Sequence, residues 1–222
     1  MSKISRGQKG EELVIKELNN IKEYHHLLNN VTLINKKTGM SHQLDHVLVH
    51  PHGVFVIETK NYYGEILYKN NAWYRNVKGT KTKISNPLLQ NKSHAVTLYY
   101  ALKKEYIIIP VEVFVQNNAP YFPDDNVINL NDLVLFVESY PYEHKYTKAT
   151  IDKIFKKLNR CNVEMDVDEH VQNINLLKEY RKEQQAEMTY AIEQKKCPWC
   201  GSPLDIKGYH YKCPKCKFEF KL

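Results

Sequence analysis

The sequence lacks an apolar run long enough to cross a membrane. Its most apolar stretch, Ile107 to Val115, is short and contains Pro110 and Glu112, whereas a spanning helix needs about 20 apolar residues. The start of the chain also lacks the apolar segment of a signal peptide, because charged residues occupy it: Lys3, Arg6, Lys9, Glu11 and Glu12. Both absences predict a cytoplasmic protein without a membrane partner.

Cysteine is scarce, and acidic residues are outnumbered. Four of the five cysteines form two C-x-x-C pairs and Cys161 stands alone, which suits a metal site in a reducing compartment better than a disulfide framework. The chain has 32 basic and 25 acidic residues, a net charge of +7. This charge favours a polyanionic partner without identifying one. Repeats and low-complexity tracts are absent too, so 222 residues suit one domain with a small appendage.

Hydrophobic periodicity predicts alternating helices and strands. We expect a helix over residues 7–28, a strand at Val31–Ile34, and strand-like runs near Glu65–Tyr68 and Ala72–Val77. Asn86-Pro87 begins a helix to about Glu105 whose predicted buried stripe is Leu88, Leu89, Ala95, Leu98, Tyr99 and Leu102.

The second half continues this pattern. Ile107–Val115 is typical of a strand covered on both faces. Short helices are expected at 131–140 and 148–159, with Asn131 and Thr147 as caps. Residues 167–196 form an increasingly polar helical connector. The order of elements indicates an α/β layer domain.

Two runs at 44–49 and 54–60 alternate with the period of β-strands, and His50-Pro51-His52-Gly53 between them is a turn signal. In a hairpin symmetric about that turn, Val49 faces Val54 and Asp45 faces Glu58. Opposed side chains share a face with Cβ atoms about 4.5–5.5 Å apart. Lys60 then projects from the same face roughly 6–7 Å farther along.

Two carboxylates this close repel, and a divalent, oxygen-seeking cation such as Mg²⁺ between them resolves the conflict. The hairpin therefore predicts a metal site at Asp45 and Glu58 with an amine, Lys60, beside it. Two alternatives stay open. The charges can form a solvated rim with a surface ion pair, and a bulge in the turn would move Asp45 to the other face.

The two C-x-x-C pairs predict a zinc module. Each pair closes a knuckle that aims two thiolates at one ion, so Cys197, Cys200, Cys213 and Cys216 would complete a tetrahedral Zn²⁺ site. The redox alternative lacks a thioredoxin-like βαβ context. Residues 195–222 carry +5, or about +3 with zinc and four thiolates. The interleaved aromatics either contact bases or form a small core: Trp199, Tyr209, Tyr211, Phe218 and Phe220.

A second basic segment lies between residues 69 and 92, where six cations occur without an acid: Lys69, Arg75, Lys78, Lys81, Lys83 and Lys92. Such a segment either follows a phosphate backbone or is a solvated hairpin. The spacing of four nearby histidines fits no strand face shared with the carboxylates, and we interpret them as surface or turn residues: His42, His46, His50 and His52.

Five ordered blocks resemble the nuclease-related (NERD) domain of the PD-(D/E)xK, restriction-endonuclease-like superfamily. They are Gly7-x-x-Gly10-Glu11, Leu44-Asp45-His46, the run from Gly53 to Asn61, Gly64, and Asn86-Pro87-x-x-Gln90. The resemblance covers about residues 5–120. The superfamily's proline before the first acid is absent, since Leu44 stands there. The C-terminal module resembles, more loosely, the zinc ribbons of type IA topoisomerases.

The resemblance implies a mixed central sheet flanked by helices. It also implies that Asp45 and Glu58 ligate Mg²⁺ or Mn²⁺ and that Lys60 positions or helps activate the attacking water. It further implies that Glu11 adds an acid to the site and that Gln90 is a polar residue that orients other groups there. The expected domains are a core at 1–125, a helical extension and connector at 126–196, and a zinc ribbon at 197–222.

The predicted function is metal-dependent hydrolysis of DNA, with RNA as a possible substrate and the ribbon assisting binding. The alternative is a non-catalytic module that binds DNA or recruits proteins.

Overall fold

A computed structural model of the chain describes residues 5–35, 39–116, 124–141, 145–165, 168–176, 178–179, 182, 193–197, 200–207, 210–216 and 219–221. The chain divides into two compact units, Met1–Met165 and Asp166–Leu222. In the described part of the chain, every helix is too short or too polar to span a lipid bilayer.

Within its described residues, the first unit contains four α-helices and eight strands, joined in the mixed order that the sequence pattern indicated. The helices are α1 (Arg6–Leu18), α2 (Leu88–Ala101), α3 (Leu133–Ser139) and α4 (Lys148–Cys161), and a 3₁₀ turn at Leu130–Asp132 precedes α3. The strands are β1 (His26–Ile34), β2 (Ser41–His50), β3 (Gly53–Lys60), β4 (Glu65–Lys69), β5 (Ala72–Val77), β6 (Thr80–Ile84), β7 (Ile108–Phe114) and β8 (Val127–Asn129).

A five-stranded mixed sheet is the centre of this unit, with the order β1-β2-β3-β7-β8. Strands β1, β2 and β3 are antiparallel neighbours, whereas β7 pairs in parallel with β3 and β8. The predicted hairpin register is confirmed, because Val49 pairs with Val54 and His46 with Ile57. This mixed sheet with flanking helices is the expected α/β architecture of a restriction-endonuclease-like core.

Helices cover both faces of the sheet because its inner strands are apolar on both sides. One face packs against α2 and α4 through residues such as Val56, Leu98 and Ile154. The other packs against α1 and α3, where Phe55 is fully buried. The connection from β3 to β7 contains a small sheet, β4-β5-β6, whose Trp73 packs on Phe114 of β7.

Several predicted boundaries are wrong, each for a physical reason. The helix predicted over 7–28 ends at Leu18 with Asn19 as its cap, and 26–28 belong to β1, which hydrogen-bonds to β2. The apolar period continued to Ile21 because that residue is buried in the core outside the helix. Asn131 is not a cap but lies inside the 3₁₀ turn, whereas Thr147 does cap α4 by accepting a hydrogen bond from the Thr150 N–H.

The buried face of α2 is also more polar than predicted. Leu89 and Tyr99 are exposed, while Asn91 and His94 are buried. Asn91 donates from Nδ2 to the carbonyl oxygens of Val56 and Val111, which ties the helix to neighbouring strands. These polar contacts set the rotation of α2 on the sheet and turn two of the predicted apolar positions outward.

The second unit contains a three-stranded antiparallel sheet in the order β11-β10-β9. Its strands are β9 (Asp205–Lys207), β10 (His210–Lys212) and β11 (Glu219–Lys221). The predicted connector is helical at residues 168–176, and 183–192 lie outside the described residues. The same is true of Trp199, Tyr209 and Phe218.

Candidate active site and cysteine cluster

The hairpin β2–β3 brings three of the predicted site residues together. Asp45 in β2 accepts a hydrogen bond at Oδ2 from the backbone N–H of Thr59, at 2.8 Å. On β3, the Lys60 Nζ lies 2.8 Å from Glu58 Oε1. The β2–β3 ladder ends at the pair of His46 and Ile57, and just beyond it Asp45 lies close enough to Glu58 for the two carboxylates to repel each other.

The Lys60 ammonium is in contact with several polar side chains of the site. Its Nζ lies 3.4 Å from Glu112 Oε1 in β7 and 3.5 Å from Gln90 Oε1 in α2, in addition to its contact with Glu58. The ammonium thus connects two strands and one helix. Gln90, which the resemblance implied as an orienting residue, is within reach of the site.

Glu112 is a site residue that sequence reasoning missed. Parallel pairing places it directly beside Glu58. Asp45, Glu58 and Glu112 therefore occupy three adjacent strands, and we call them the acid row. Glu112 is fully buried, and neither carboxylate oxygen has a hydrogen-bond partner among the described residues. A single acid inside the apolar run 107–115 was the available sequence signal.

His94 was missed as well. This buried α2 side chain places Nδ1 3.3 Å from Glu58 Oε2, on the carboxylate oxygen that Lys60 does not contact. One helical turn separates it from Gln90, so both side chains reach the site from the same helix.

The three carboxylates of the acid row and the Lys60 ammonium differ in how their surroundings shift their pKa values. Burial, together with repulsion from Glu58, raises the pKa of Asp45 to about 7. Burial also raises the pKa of Glu112, to about 8, despite the neighbouring ammonium. Burial disfavours the charge of Glu58 too, but its contacts with His94 and Lys60 outweigh that effect and lower its pKa. The Glu58 and Glu112 carboxylates raise the pKa of Lys60 against the effect of burial.

Glu11 enters the site from α1. A capping box between Ser5 and Gln8 fixes the start of this helix, and Asn61 donates from Nδ2 to the Arg6 carbonyl at 2.8 Å. Burial and repulsion from Glu58 raise the pKa of Glu11. All five predicted catalytic residues, Glu11, Asp45, Glu58, Lys60 and Gln90, are therefore gathered at one end of the sheet.

The acid row suits a hard divalent cation. A buried carboxylate without hydrogen bonds and a second one whose pKa lies near 7 both indicate negative charge that the described protein groups leave incompletely compensated. Carboxylate oxygens are the donors that Mg²⁺ and Mn²⁺ prefer. The residues present thus fit the ion that the resemblance implied.

The prediction of surface or turn positions for four histidines is confirmed for His52, which lies in the turn between β2 and β3, and is wrong for the three that lie in β2. His42, His46, His50 and His52 are all buried, because β2 is an inner strand covered on both faces. His46 Nδ1 donates to Asn29 Oδ1 at 2.7 Å, and burial lowers the pKa of His46 to about 4. The His42 ring packs edge-on against His94.

The predicted nucleic-acid-binding cations mostly lie on the small sheet. Lys69, Lys81 and Lys83 are exposed on β4 and β6, and Lys78 is exposed in the turn between β5 and β6. Arg75 differs, because its Nε is buried without a hydrogen-bond partner among the described residues. The sixth cation is Lys92 on α2, and its Nζ lies 3.6 Å from Asp124 Oδ2.

The second unit gathers the four cysteines into one cluster. The sulfur atoms of Cys197, Cys200, Cys213 and Cys216 lie within 4.8 Å of one another, and this is the one such group of potential ligands in the described part of the chain. The Cys197–Cys216 and Cys200–Cys213 sulfur distances are 3.5 Å, near the roughly 3.8 Å of a tetrahedral zinc–thiolate site.

Local backbone bonds shape each knuckle. Cys197 donates its N–H to the Ser202 carbonyl, and its own carbonyl accepts from Gly201, which has φ +67°. The Cys216 N–H points at the Cys213 sulfur at 3.5 Å. Hydrogen bonds from Ser202 lower the pKa of the Cys200 thiol to about 6, which favours the thiolate that a metal requires.

Comparison with known proteins gives a family match and a related protein. The family model described as "Nuclease-related domain" (NERD) matches residues 6–116, half of the chain. The chain is also 29% identical over 181 residues to an uncharacterized protein of Bacillus anthracis, an alignment that covers 78% of this chain and 84% of that protein. No solved structure gives a significant match.

Proposed function

Because the chain belongs to the nuclease-related domain family, we propose that it is a metal-dependent nuclease that hydrolyses phosphodiester bonds in DNA. The observation that carries the proposal is the acid row with Lys60 at its centre, at the end of a hairpin and under the start of α2. A fold-stabilising role does not explain buried, incompletely compensated carboxylates, since such groups cost stability.

We assign Asp45 and Glu58 as the residues that hold Mg²⁺ or Mn²⁺. When bound, the ion polarises a phosphoryl oxygen and lowers the pKa of a water molecule. Glu58 is suited to this role because its contacts with His94 and Lys60 keep it ionised. Asp45, fixed by the Thr59 N–H, presents its other oxygen to the site.

Lys60 acts as a cation in this scheme. The carboxylates on both sides keep it protonated, so it stabilises negative charge that develops on the phosphoryl oxygens and does not remove a proton from water. Gln90, within 3.5 Å of the ammonium, orients it, and Glu11 adds an acid from the opposite side of the hairpin.

We assign Zn²⁺ to the four cysteines as a structural ion, because four thiolates close a tetrahedral site and leave no position open for substrate. The exposed lysines of the small sheet, Lys69, Lys78, Lys81 and Lys83, are proposed to contact DNA phosphates, together with Arg75 and Lys92. RNA shares this phosphate chemistry, and the same experiment with RNA tests it.

The test is cleavage of plasmid and linear DNA with Mg²⁺ or Mn²⁺. Asp45→Asn and Lys60→Met should each reduce the cleavage rate by about 100-fold or more, since each removes charge at the reacting phosphate. Asp132→Asn, an exposed aspartate before α3, is the matched control and should cut like the parent. If neither ion supports cutting of any of these substrates while the folded protein still binds DNA, the non-catalytic alternative is correct.

A further inference from the structure

A broad groove between α2 and α4 has no part in the proposed chemistry. It has a volume of about 1570 Å³ and is lined by side chains of both helices and by the end of β1. We call it the basic groove. Its charged lining residues are Lys103, Glu105, Asp152, Lys153, Lys156, Lys157 and Arg160.

Both acids that line the basic groove already have polar partners within the protein. Glu105 pairs with Lys157 at 3.2 Å, and Asp152 Oδ1 lies 2.8 Å from the His26 ring and 2.7 Å from the Tyr24 hydroxyl. Four cations, in contrast, make no ion pair with the acids that the structure describes: Lys103, Lys153, Lys156 and Arg160. All four are exposed, so the groove presents uncompensated positive charge.

Three of these four cations, all on α4, form a row along one side of the groove. On α4, Lys153, Lys156 and Arg160 follow the spacing of a single helix face, which places them about 4.5 and 6 Å apart along the axis. A row of cations along a groove attracts a linear polyanion more than a compact one.

The floor of the basic groove is apolar and aromatic. Val96 is 52% and Tyr100 59% exposed, and both lie on the side of α2 that lines the groove. Lys104 places its ammonium 4.8 Å from the Tyr100 ring centroid. Exposed aromatic and aliphatic surface beside cations suits unstacked bases next to phosphates, which is the chemistry of single-stranded nucleic acid.

The groove and the acid row share helix α2. Gln90 and His94 near its start reach the acid row, and Tyr100 near its end lines the groove. The ten residue steps from Gln90 to Tyr100 span about 15 Å along the helix axis, a distance that a few nucleotides of single strand can bridge.

We propose that the basic groove holds a single-stranded stretch of the nucleic acid, a few nucleotides from the phosphodiester at the acid row. The choice of nucleic acid as the ligand rests on the proposed function. The groove then gives the protein a preference for substrates with a single-stranded tail.

Fluorescence anisotropy with a labelled oligothymidylate of about 20 nucleotides, in buffer with EDTA, tests the groove without cutting. The double variant Lys156→Glu/Arg160→Glu should bind about tenfold more weakly, and its salt dependence should fall by a slope of about 1.4, because two phosphate contacts are lost. Lys16→Glu/Lys22→Glu makes the same charge change on exposed residues of α1 and the segment after it, which belong to the other face of the sheet. This control should bind within about twofold of the parent.

Tyr100 supplies a second measurement. Tyr100→Leu should weaken binding and Tyr100→Phe should not, since stacking needs the ring and not the hydroxyl. In the presence of Mg²⁺, the groove variant should cut tailed duplexes more slowly than the parent does, and this defect should vanish for duplexes without a tail.

Equal binding by the groove variant and the parent would overturn the inference, as would equal weakening by the groove and control pairs. Failure of the nuclease proposal is distinguishable, because it would leave the anisotropy differences intact while the parent protein cuts no DNA with either metal.

Discussion

The carboxylate of Glu112 is a single buried group that lowers the stability of the folded protein when it is charged. Its carboxylate is fully buried, it lacks hydrogen bonds among the described residues, and burial raises its pKa from 4.5 to about 8. A raised folded-state pKa means that the folded protein holds the proton more tightly than the unfolded chain. This contribution to stability is complete below pH 4.5 and is lost as the pH rises towards 8.

Glu112→Gln should therefore remove part of the pH dependence of stability in metal-free protein. We expect the variant and the parent to unfold at similar denaturant concentrations at about pH 5, and the variant to gain on the order of a few kcal/mol by about pH 8. Equilibrium unfolding in EDTA across this range measures the difference. Glu164→Gln, which changes an exposed glutamate, is the control, and parallel pH curves for parent and Glu112→Gln would contradict the assignment.

Sequence reasoning found some site residues and missed others according to their separation along the chain. Asp45, Glu58 and Lys60 lie in one hairpin, so alternation and a turn signal were enough to place them on one face. Glu112 joins them through parallel pairing of β7 with β3, and no local pattern reveals which strand becomes the neighbour of another. His94 was hidden in a similar way, because the rotation of α2 depends on the Asn91 contacts with strand carbonyls.

At the scale of elements, the contact between α1 and β3 places Glu11 at the site. Gly10 faces the end of β3 so closely that an added Cβ would lie 2.8 Å from the Asn61 Cβ and 3.1 Å from the Thr59 Cγ2. The absence of a side chain at this position is what allows the helix to approach the strand. Gly7, one turn earlier, has only the Ser5 hydroxyl at 3.7 Å.

Gly10→Ala and Gly7→Ala should consequently have opposite effects. The first should lower the free energy of unfolding by about 1–3 kcal/mol, because the helix must shift away from β3. The second should leave it unchanged or raise it by up to about 1 kcal/mol, since alanine favours the helix. Thermal or urea unfolding of both variants makes the comparison. A Gly10→Ala protein as stable as the Gly7→Ala protein would show that this close approach is not needed.

Elements without apolar periodicity were the ones that the sequence did not predict. Strand β6 is exposed at four of its five positions and pairs with β5 in an antiparallel ladder, so its residues, Thr80 to Ile84, carry no alternating apolar pattern. The end of α1 was misplaced for the opposite reason, since Ile21 continues the apolar period beyond the helix. Periodicity thus reports burial, and it identifies an element only where burial and backbone conformation coincide.

At the scale of the whole molecule, the chain combines a unit stabilised by a large apolar core with a second unit whose described residues form only a small apolar cluster. In the second unit the described buried apolar cluster consists of Cys197, Leu204, Tyr211 and Cys213, with Cys200 packed against it. A cluster this small cannot offset the conformational entropy of ordering the knuckles and strands around it. The cysteine motifs predicted a metal site here, whereas the strand order of the first unit had to come from the structure.

Metal removal should therefore unfold the second unit and leave the first intact. Binding of zinc to small modules contributes on the order of 10 kcal/mol to folding. A strong chelator should therefore make the lysines beyond Met165 accessible to trypsin. A fragment close to residues 1–165 should persist in the digest. Cys213→Ser should reproduce this digestion pattern without chelator and should purify without stoichiometric zinc. Cys161→Ser removes the cysteine outside the cluster, and this control should retain one zinc and resist trypsin. Equal zinc content in the two serine variants would refute the four-cysteine site, and global unfolding on chelation would show that the first unit depends on the metal as well.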